Sequence, residues 1–191
     1  MSETLFIQSL KEGNKEAFRI LVNDLKDKVF NTSVSMLQNM EDAEDITQEV
    51  FIEVFNSVKN FKGDAKLSTW IYRITVTKCL EHQRKKSRKK RFGFMQSLFG
   101  ESDKPSRDIP HFYHPGVQLE NKERASILYL AIDQLPERQR TAFILNKTED
   151  LSYAEIAEVM EISLSSVESL LVRAKQNLQE HLKEYYTKNE K

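Results

Sequence analysis

The sequence predicts an all-α protein of two small helical domains joined by a linker, and three observations carry that prediction. Five glycines and four prolines among 191 residues, beside abundant Glu, Lys, Leu and Ile, favour helix over strand and turn. Apolar residues recur at helical spacing towards both ends of the chain, but not between Phe92 and Gly116. The net charge is zero yet unevenly spread: residues 1–83 carry −3, residues 84–91 carry +7, and residues 92–120 and 121–191 carry −2 each. The division that follows is a first domain over 1–91, a linker over 92–120 and a second domain over 121–191.

In the first domain Phe18, Leu21, Val22, Leu25, Val29, Phe30 and Val34 mark one helix over Lys11–Leu37. A second helix begins near Asp42. Its Ala43, Ile46, Val50, Phe51, Val54 and Val58 form a buried stripe, and Asp45, Gln48, Glu49, Ile52 and Asn56 form an exposed ridge opposite. Acidic residues in a first helical turn are favoured by the helix dipole, so composition alone explains Asp42, Glu44 and Asp45 as end stabilisation. A di-metal carboxylate site lacks its Glu-x-x-His partner. A third helix, capped by Ser68, carries Trp70, Tyr72 and Arg73 into the run Arg84–Arg91. Aromatics that stack on bases, beside cations that follow phosphates, suit single-stranded nucleic acid. The plainer alternative makes Trp70 and Ile74 core and the run a solvated helix end. Seven cations in eight residues repel one another, which favours an anionic partner.

Phe92–Gly116 holds three of the four prolines and no sustained helical period, hence the linker. Phe92, Phe94, Met95, Leu98, Phe99, Phe112 and Tyr113 imply that parts of it dock on a partner or on one of the domains. Beyond it, Leu151–Lys175 reads as a helix-turn-helix. Ser152 and Glu155 have the capping-box spacing, Ile156, Ala157 and Met160 share an apolar face, and Ser163 caps the next helix. On that helix Val167, Leu170, Leu171, Ala174 and Leu178 fall on one side, and Ser165, Ser166, Ser169, Val172, Arg173 and Gln176 on the other. Small Ala157 and β-branched Val167 permit a close, steep crossing, and the second helix is shaped for a major groove. Spacing alone does not separate this from any two amphipathic helices joined by a turn, and Glu161 fills the turn position usually given to Gly.

A single cysteine, Cys79, excludes an internal disulfide framework and fits a reducing compartment. The first residues have no basic start, and nowhere do about eighteen apolar residues run together, so a cytoplasmic chain without membrane insertion is expected. Cys79 and His82, one turn apart, with His111-x-x-His114, would supply four metal ligands, but the histidine pair falls in the linker without a second cysteine or a carboxylate pattern. No metal, cofactor or catalytic residue is expected.

Asp42-Ala-Glu-Asp-Ile-Thr-Gln-Glu-Val-Phe51, Phe61-Lys-Gly63 with Ser68-Thr-Trp-Ile-Tyr-Arg-Ile74, and Leu135-Pro-Glu-Arg-Gln-Arg140 through Leu178 together resemble the extracytoplasmic-function (group 4) sigma factors of the sigma-70 family. They match regions 2.2, 2.3 running into 2.4, and 4, in family order and over nearly the whole chain. The resemblance implies a non-enzymatic promoter-specificity subunit of bacterial RNA polymerase. Its sigma-2 helical bundle would bind the polymerase clamp and melt the minus-ten element, and its sigma-4 helix-turn-helix would bind the minus-35 element and the flap.

At matching positions, the resemblance implies that Asp45, Gln48 and Glu49 grip the polymerase coiled coil. It gives Lys62, Trp70, Tyr72, Arg73 and Thr77 to the minus-ten DNA, with a flipped base in a pocket beside the loop Lys62–Ser68. Arg84, Lys85 and Arg88 of the basic run would add phosphate contacts, and Ser165, Ser166, Ser169, Arg173 and Gln176 would face the minus-35 element. Thr77 replaces a common Asn and Glu81 a common Asp, while Glu168, Leu170 and Val172 stand where basic or aromatic residues are frequent. Base preferences therefore do not carry over. Family members are often held by an anti-sigma factor, so that partner comes with the resemblance. The rival is a stand-alone helix-turn-helix regulator, which would leave the ridge and the aromatic-basic helix unexplained and would need a dimer interface for two half-sites.

Overall fold

The computed structural model describes residues 3–98 and 122–189, and every regular element among them is helical. In chain order these are α1 (Glu3–Lys11), α2 (Lys15–Leu37), α3 (Met40–Ser57), a 3₁₀ turn (Val58–Asn60), α4 (Leu67–Leu98), α5 (Lys122–Asp133), α6 (Glu137–Lys147), α7 (Tyr153–Met160) and α8 (Leu164–Asn189).

The first half begins differently from the pattern read in the sequence. A separate α1 precedes α2, because Gly13 takes a positive φ of 77° and Asn14 then caps α2, its side chain accepting from the backbone N–H groups of Glu16 and Ala17 at 2.9 and 3.1 Å. The helix expected from Lys11 therefore starts at Lys15, with a separate helix before it. Asn39 caps α3 by accepting from Asp42 N at 2.8 Å. Ser68 does not cap α4: the Trp70 N–H donates to Lys66 O at 3.1 Å, which puts Ser68 inside the first turn. α4 also continues to Leu98, into the span expected to lack a helical period. Gly93 costs a helix only about 1 kcal/mol, and no proline intervenes before Pro105. Residues 99–121, with Phe99, His111, Phe112, Tyr113 and His114, lie outside the described residues, as do the side chains of Phe92, Phe94, Met95 and Leu98.

α2, α3 and α4 pack as a bundle around Leu21, Val29, Met36, Ile46, Val50, Val54, Ile71, Val76 and Cys79. Burying each large aliphatic side chain of this set contributes about 1.5–3 kcal/mol. Buried hydroxyls stay satisfied one turn back: Ser33 donates to Val29 O at 2.8 Å and Thr75 to Ile71 O at 2.9 Å.

In the second half, α6, α7 and α8 enclose Ala142, Ile144, Leu145, Ile156, Val159, Val167, Leu171, Ala174 and Leu178. The capping box of Ser152 and Glu155 is formed, and Glu161 closes α7 in the left-handed region at φ 54°, its N–H on Ala157 O. A helix-turn-helix results. The two halves also touch, α7 against α4 and α6 against α2, and their buried residues join one contiguous apolar cluster.

Candidate nucleic-acid interface

A pocket of about 200 Å³ opens beside the start of α4, lined by Asn60, Phe61, Lys62, Gly63, Asp64, Ala65, Trp70 and Arg73. Gly63 turns the loop with φ 81°, and buried Phe61 braces Trp70 at a ring-centroid distance of 5.2 Å. Trp70 and Arg73 share the pocket because residues three apart stand on one helix face. Tyr72 is about 200° round the helix from Trp70, so it cannot join them. It is 8% exposed, and its hydroxyl donates to Glu149 Oε2 at 3.1 Å. Burial and the Glu149 charge push that hydroxyl above its usual range and keep it a donor. Thr77 is exposed on α4 but does not line the pocket. Farther along, Lys85 and Arg88 are exposed, Arg84 pairs with Glu137 at 2.8 Å and Lys86 with Asp42 at 2.6 Å.

The second half lies across this edge. Arg73 Nη1 meets Glu161 Oε1 at 2.9 Å and Nη2 donates to Glu158 O at 2.7 Å, while Lys66 Nζ meets Glu155 Oε1 at 3.0 Å. The hydrogen bond from Lys66, with further ones from Ser152, brings the Glu155 carboxyl down to about 2. Deeper in, burial raises Glu149 above the ordinary carboxylate range, and its Oε1 has no hydrogen-bond partner. Gln38 Nε2 donates to Tyr129 O at 3.0 Å, and Arg140 Nη2 donates to Gln83 Oε1 at 2.8 Å. Cations suited to DNA are thus matched to acidic or carbonyl groups of the same chain.

On α3, Asp45, Gln48 and Glu49 are exposed opposite buried Ala43, Ile46, Val50, Phe51 and Val54. Ile52 and Phe55 extend the ridge as exposed apolar groups, Phe55 resting edge-on against Phe18 at 5.1 Å. Asp42 is not part of it. Burial pulls its carboxyl up, but Lys86 and His82 outweigh that and leave it below the usual range.

α8 starts from Ser163, whose Oγ accepts from Ser166 N at 3.2 Å. Ser166 and Ser165 also share hydroxyl contacts with Ser163, at 2.8 and 3.1 Å, and Ser165, Ser169, Arg173 and Gln176 are exposed. A groove of about 330 Å³ between α6 and α8 is lined by Arg138, Ile162, Ser165, Ser166, Ser169, Leu170 and Arg173. Arg138 escapes a sequence reading because its only signal is a cation just after the Pro136 helix start. Gln176 lies farther along α8, outside that groove. Among the described residues Arg173 has no ion pair with Glu168 or Glu180.

Of the four residues weighed as metal ligands, His111 and His114 lie outside the described residues, and Cys79 and His82 have other neighbours. Cys79 Sγ lies 3.8 Å from Ser33 Oγ, its thiol pushed up to about 12 by burial, and His82 faces Asp42 at 3.3 Å. Among the described residues no helix is long and apolar enough to cross a membrane.

Two family models match the chain: "Sigma-70 region 2" over residues 21–89 and "Sigma-70, region 4" over residues 125–178. The RNA polymerase sigma-H factor of Pseudomonas aeruginosa is 30% identical over 185 residues, covering 92% of this chain and 91% of that one. The ECF RNA polymerase sigma factor SigW of Bacillus subtilis is 29% identical, covering 93% and 95%. The ECF RNA polymerase sigma-E factor of Escherichia coli K12 is 27% identical, covering 92% of each. Among solved structures, CnrH in complex with the cytosolic domain of CnrY aligns with a TM-score of 0.67 at 18% identity, over 94% of this chain and 96% of that one. The sigma factor RpoE of Bartonella quintana, in complex with the anti-sigma factor NepR, aligns at 0.63 and 20%, over 87% and 96%. These two likenesses concern the fold.

Proposed function

The chain belongs to the sigma-70 family, among its extracytoplasmic-function sigma factors, and from that membership we propose which of its surfaces grip RNA polymerase and which read the promoter. As a sigma factor it directs promoter-specific initiation of transcription. The exposed ridge Asp45, Gln48 and Glu49 holds the polymerase clamp, with Ile52 and Phe55 as the apolar part of the contact. The pocket walled by Trp70, Arg73 and the Phe61–Ala65 loop takes one unstacked base of the melted minus-ten element, with Lys62 at its rim; this pocket is the observation that carries the reading. Tyr72 serves by holding α4 in place rather than by touching the base, Thr77 flanks the site, and Arg84, Lys85 and Arg88 follow phosphates beyond it. Ser165, Ser166, Ser169, Arg173 and Gln176 of α8 read the minus-35 element in the major groove.

The two domains of 1–91 and 121–191 work as separable units here, because α7 has to leave Arg73 and Lys66 before promoter phosphates can take its place. Group 4 membership, a cytoplasmic location, the absence of catalysis by the chain itself, a flap contact through the second domain and control by an anti-sigma factor complete the proposal. The group 4 placement is supported by the likeness to ECF sigma factors over more than nine-tenths of the chain.

The test is transcription in vitro by core polymerase with and without the chain on a randomised promoter library, with permanganate detection of unpaired thymines. Transcripts enriched for two spaced elements, with melting at the downstream one, are expected. Output no more sequence-selective than that of core alone would sink the proposal.

A further inference from the structure

The buried line of α8, Val167, Leu171, Ala174 and Leu178, fixes which residues point outward. At about 100° per residue, those turned farthest from it are Ser165, Ser169 and Gln176, with Val172 and Arg173 about equally far round on either side of them. Arg173 sits on the edge next to Arg138, with which it lines the groove, and Glu168 sits on the other edge. Leu164, also exposed, lies close to the buried line instead. Val172 is 54% exposed and takes no part in the apolar cluster. A β-branched residue is a mediocre helix former, so neither helix stability nor packing accounts for it.

Electrostatics orient the helix. Arg138 and Arg173 draw phosphates to one edge while the Glu168 carboxylate repels them from the other, which leaves Val172 over base edges. The serine hydroxyls beside it accept or donate indifferently and discriminate little. Among the base edges in a major groove only thymine presents a methyl group. We propose that Val172 is a specificity residue that selects thymine at one position of the minus-35 element by packing its γ-methyls on the thymine C5-methyl. This rests on the reading that α8 enters the major groove.

The test uses holoenzyme assembled from the full chain and core polymerase, on a promoter selected from a randomised library. Each minus-35 thymine is replaced in turn by deoxyuridine, which removes the methyl alone. Wild-type holoenzyme should bind one such template about fourfold more weakly, the factor that burial of one methyl group gives. With Val172→Ala, thymine and uracil at that position should be bound alike, both at the wild-type uracil level, and Val172→Ile should restore the preference. Alanine is the better helix former at this exposed site, so the fold is retained. A wild type indifferent to the methyl at every thymine, a selected element without thymine, or an equal loss on both templates in Val172→Ala would each overturn the proposal. Output unchanged when the whole minus-35 element is scrambled would overturn the underlying placement of α8 instead, and this proposal with it.

Discussion

A guanidinium at the rim of the α8 groove contributes most where its fork meets a guanine edge, and Arg173 has no competing ion pair among the described residues to hold it back. Arg173→Ala should cost about 1–3 kcal/mol on the preferred minus-35 sequence and relax discrimination at one position, read from holoenzyme binding to single-position variants. An equal loss on every variant would make it a phosphate contact. Ser152 and Glu155 offer a residue-level prediction about stability. Removing the cap in Ser152→Ala should lower the unfolding free energy by about 1 kcal/mol in urea titrations. Glu155 has a folded value near 2 against 4.5 unfolded, so its contribution is present above 4.5 and fades as pH falls towards 2; solvent screening keeps it small. The gap between wild type and Ser152→Ala should therefore narrow in acid but stay open, because the Glu155 N–H still donates to Ser152 Oγ there. This pair was legible because its residues stand three apart, inside one turn. Tyr72 was not: its partner Glu149 lies 77 residues away, and an aromatic in an aromatic-basic helix reads as a base-stacking group until its burial is known.

At the scale of the element, α3 keeps its two jobs on opposite faces. Replacing Asp45, Gln48 and Glu49 together by Ala should leave thermal unfolding near wild type, since none is buried, and weaken binding to core polymerase by a few kcal/mol in competition assays. Unchanged affinity would return the ridge to helix-end stabilisation. α4 makes a prediction about salt. Arg84 and Lys86 pair with Glu137 and Asp42, so among the described side chains of the run Lys85, Arg88 and Lys89 are the cations without an ion pair. Changing those three to Gln should flatten the slope of log affinity against log salt by about one unit for each phosphate left without its cation, on all promoters alike. An unaltered slope would turn this face of α4 away from DNA. The α3 stripe and the α8 faces were readable from period alone, because one apolar side repeats cleanly over several turns. The break at Gly13–Asn14 and the reach of α4 to Leu98 were not, since apolar period is blind to a local cap and to a helix whose later turns carry no such period.

For the whole molecule, the governing feature is the contact between halves. Burial raises Glu149, Tyr72 and Lys28 pull it back, and Asp150 adds to the rise, so its value in the joined state lies above the 4.5 of a free side chain. A raised value favours the joined state below 4.5, and that support is lost as pH climbs through the raised value. Energy transfer between dyes on α3 and α8 should therefore report separation with rising pH in wild type and a flat response through that window in Glu149→Gln; parallel curves would remove Glu149 from the contact. The lowered Glu155 titrates near 2, well below this range. Nothing in the sequence announced the contact, because its pairs span 53 to 91 residues and isolated surface groups have no period to read. One consequence reaches past binding to inheritance. Arg73 and Lys66 answer both to α7 and, as proposed, to promoter DNA, so a substitution that retunes either conversation disturbs the other. Promoter taste and self-restraint in this chain are therefore mutationally entangled: a lineage that drifts towards new minus-ten sequences through these residues has to rewrite Glu155 or Glu161 along the way.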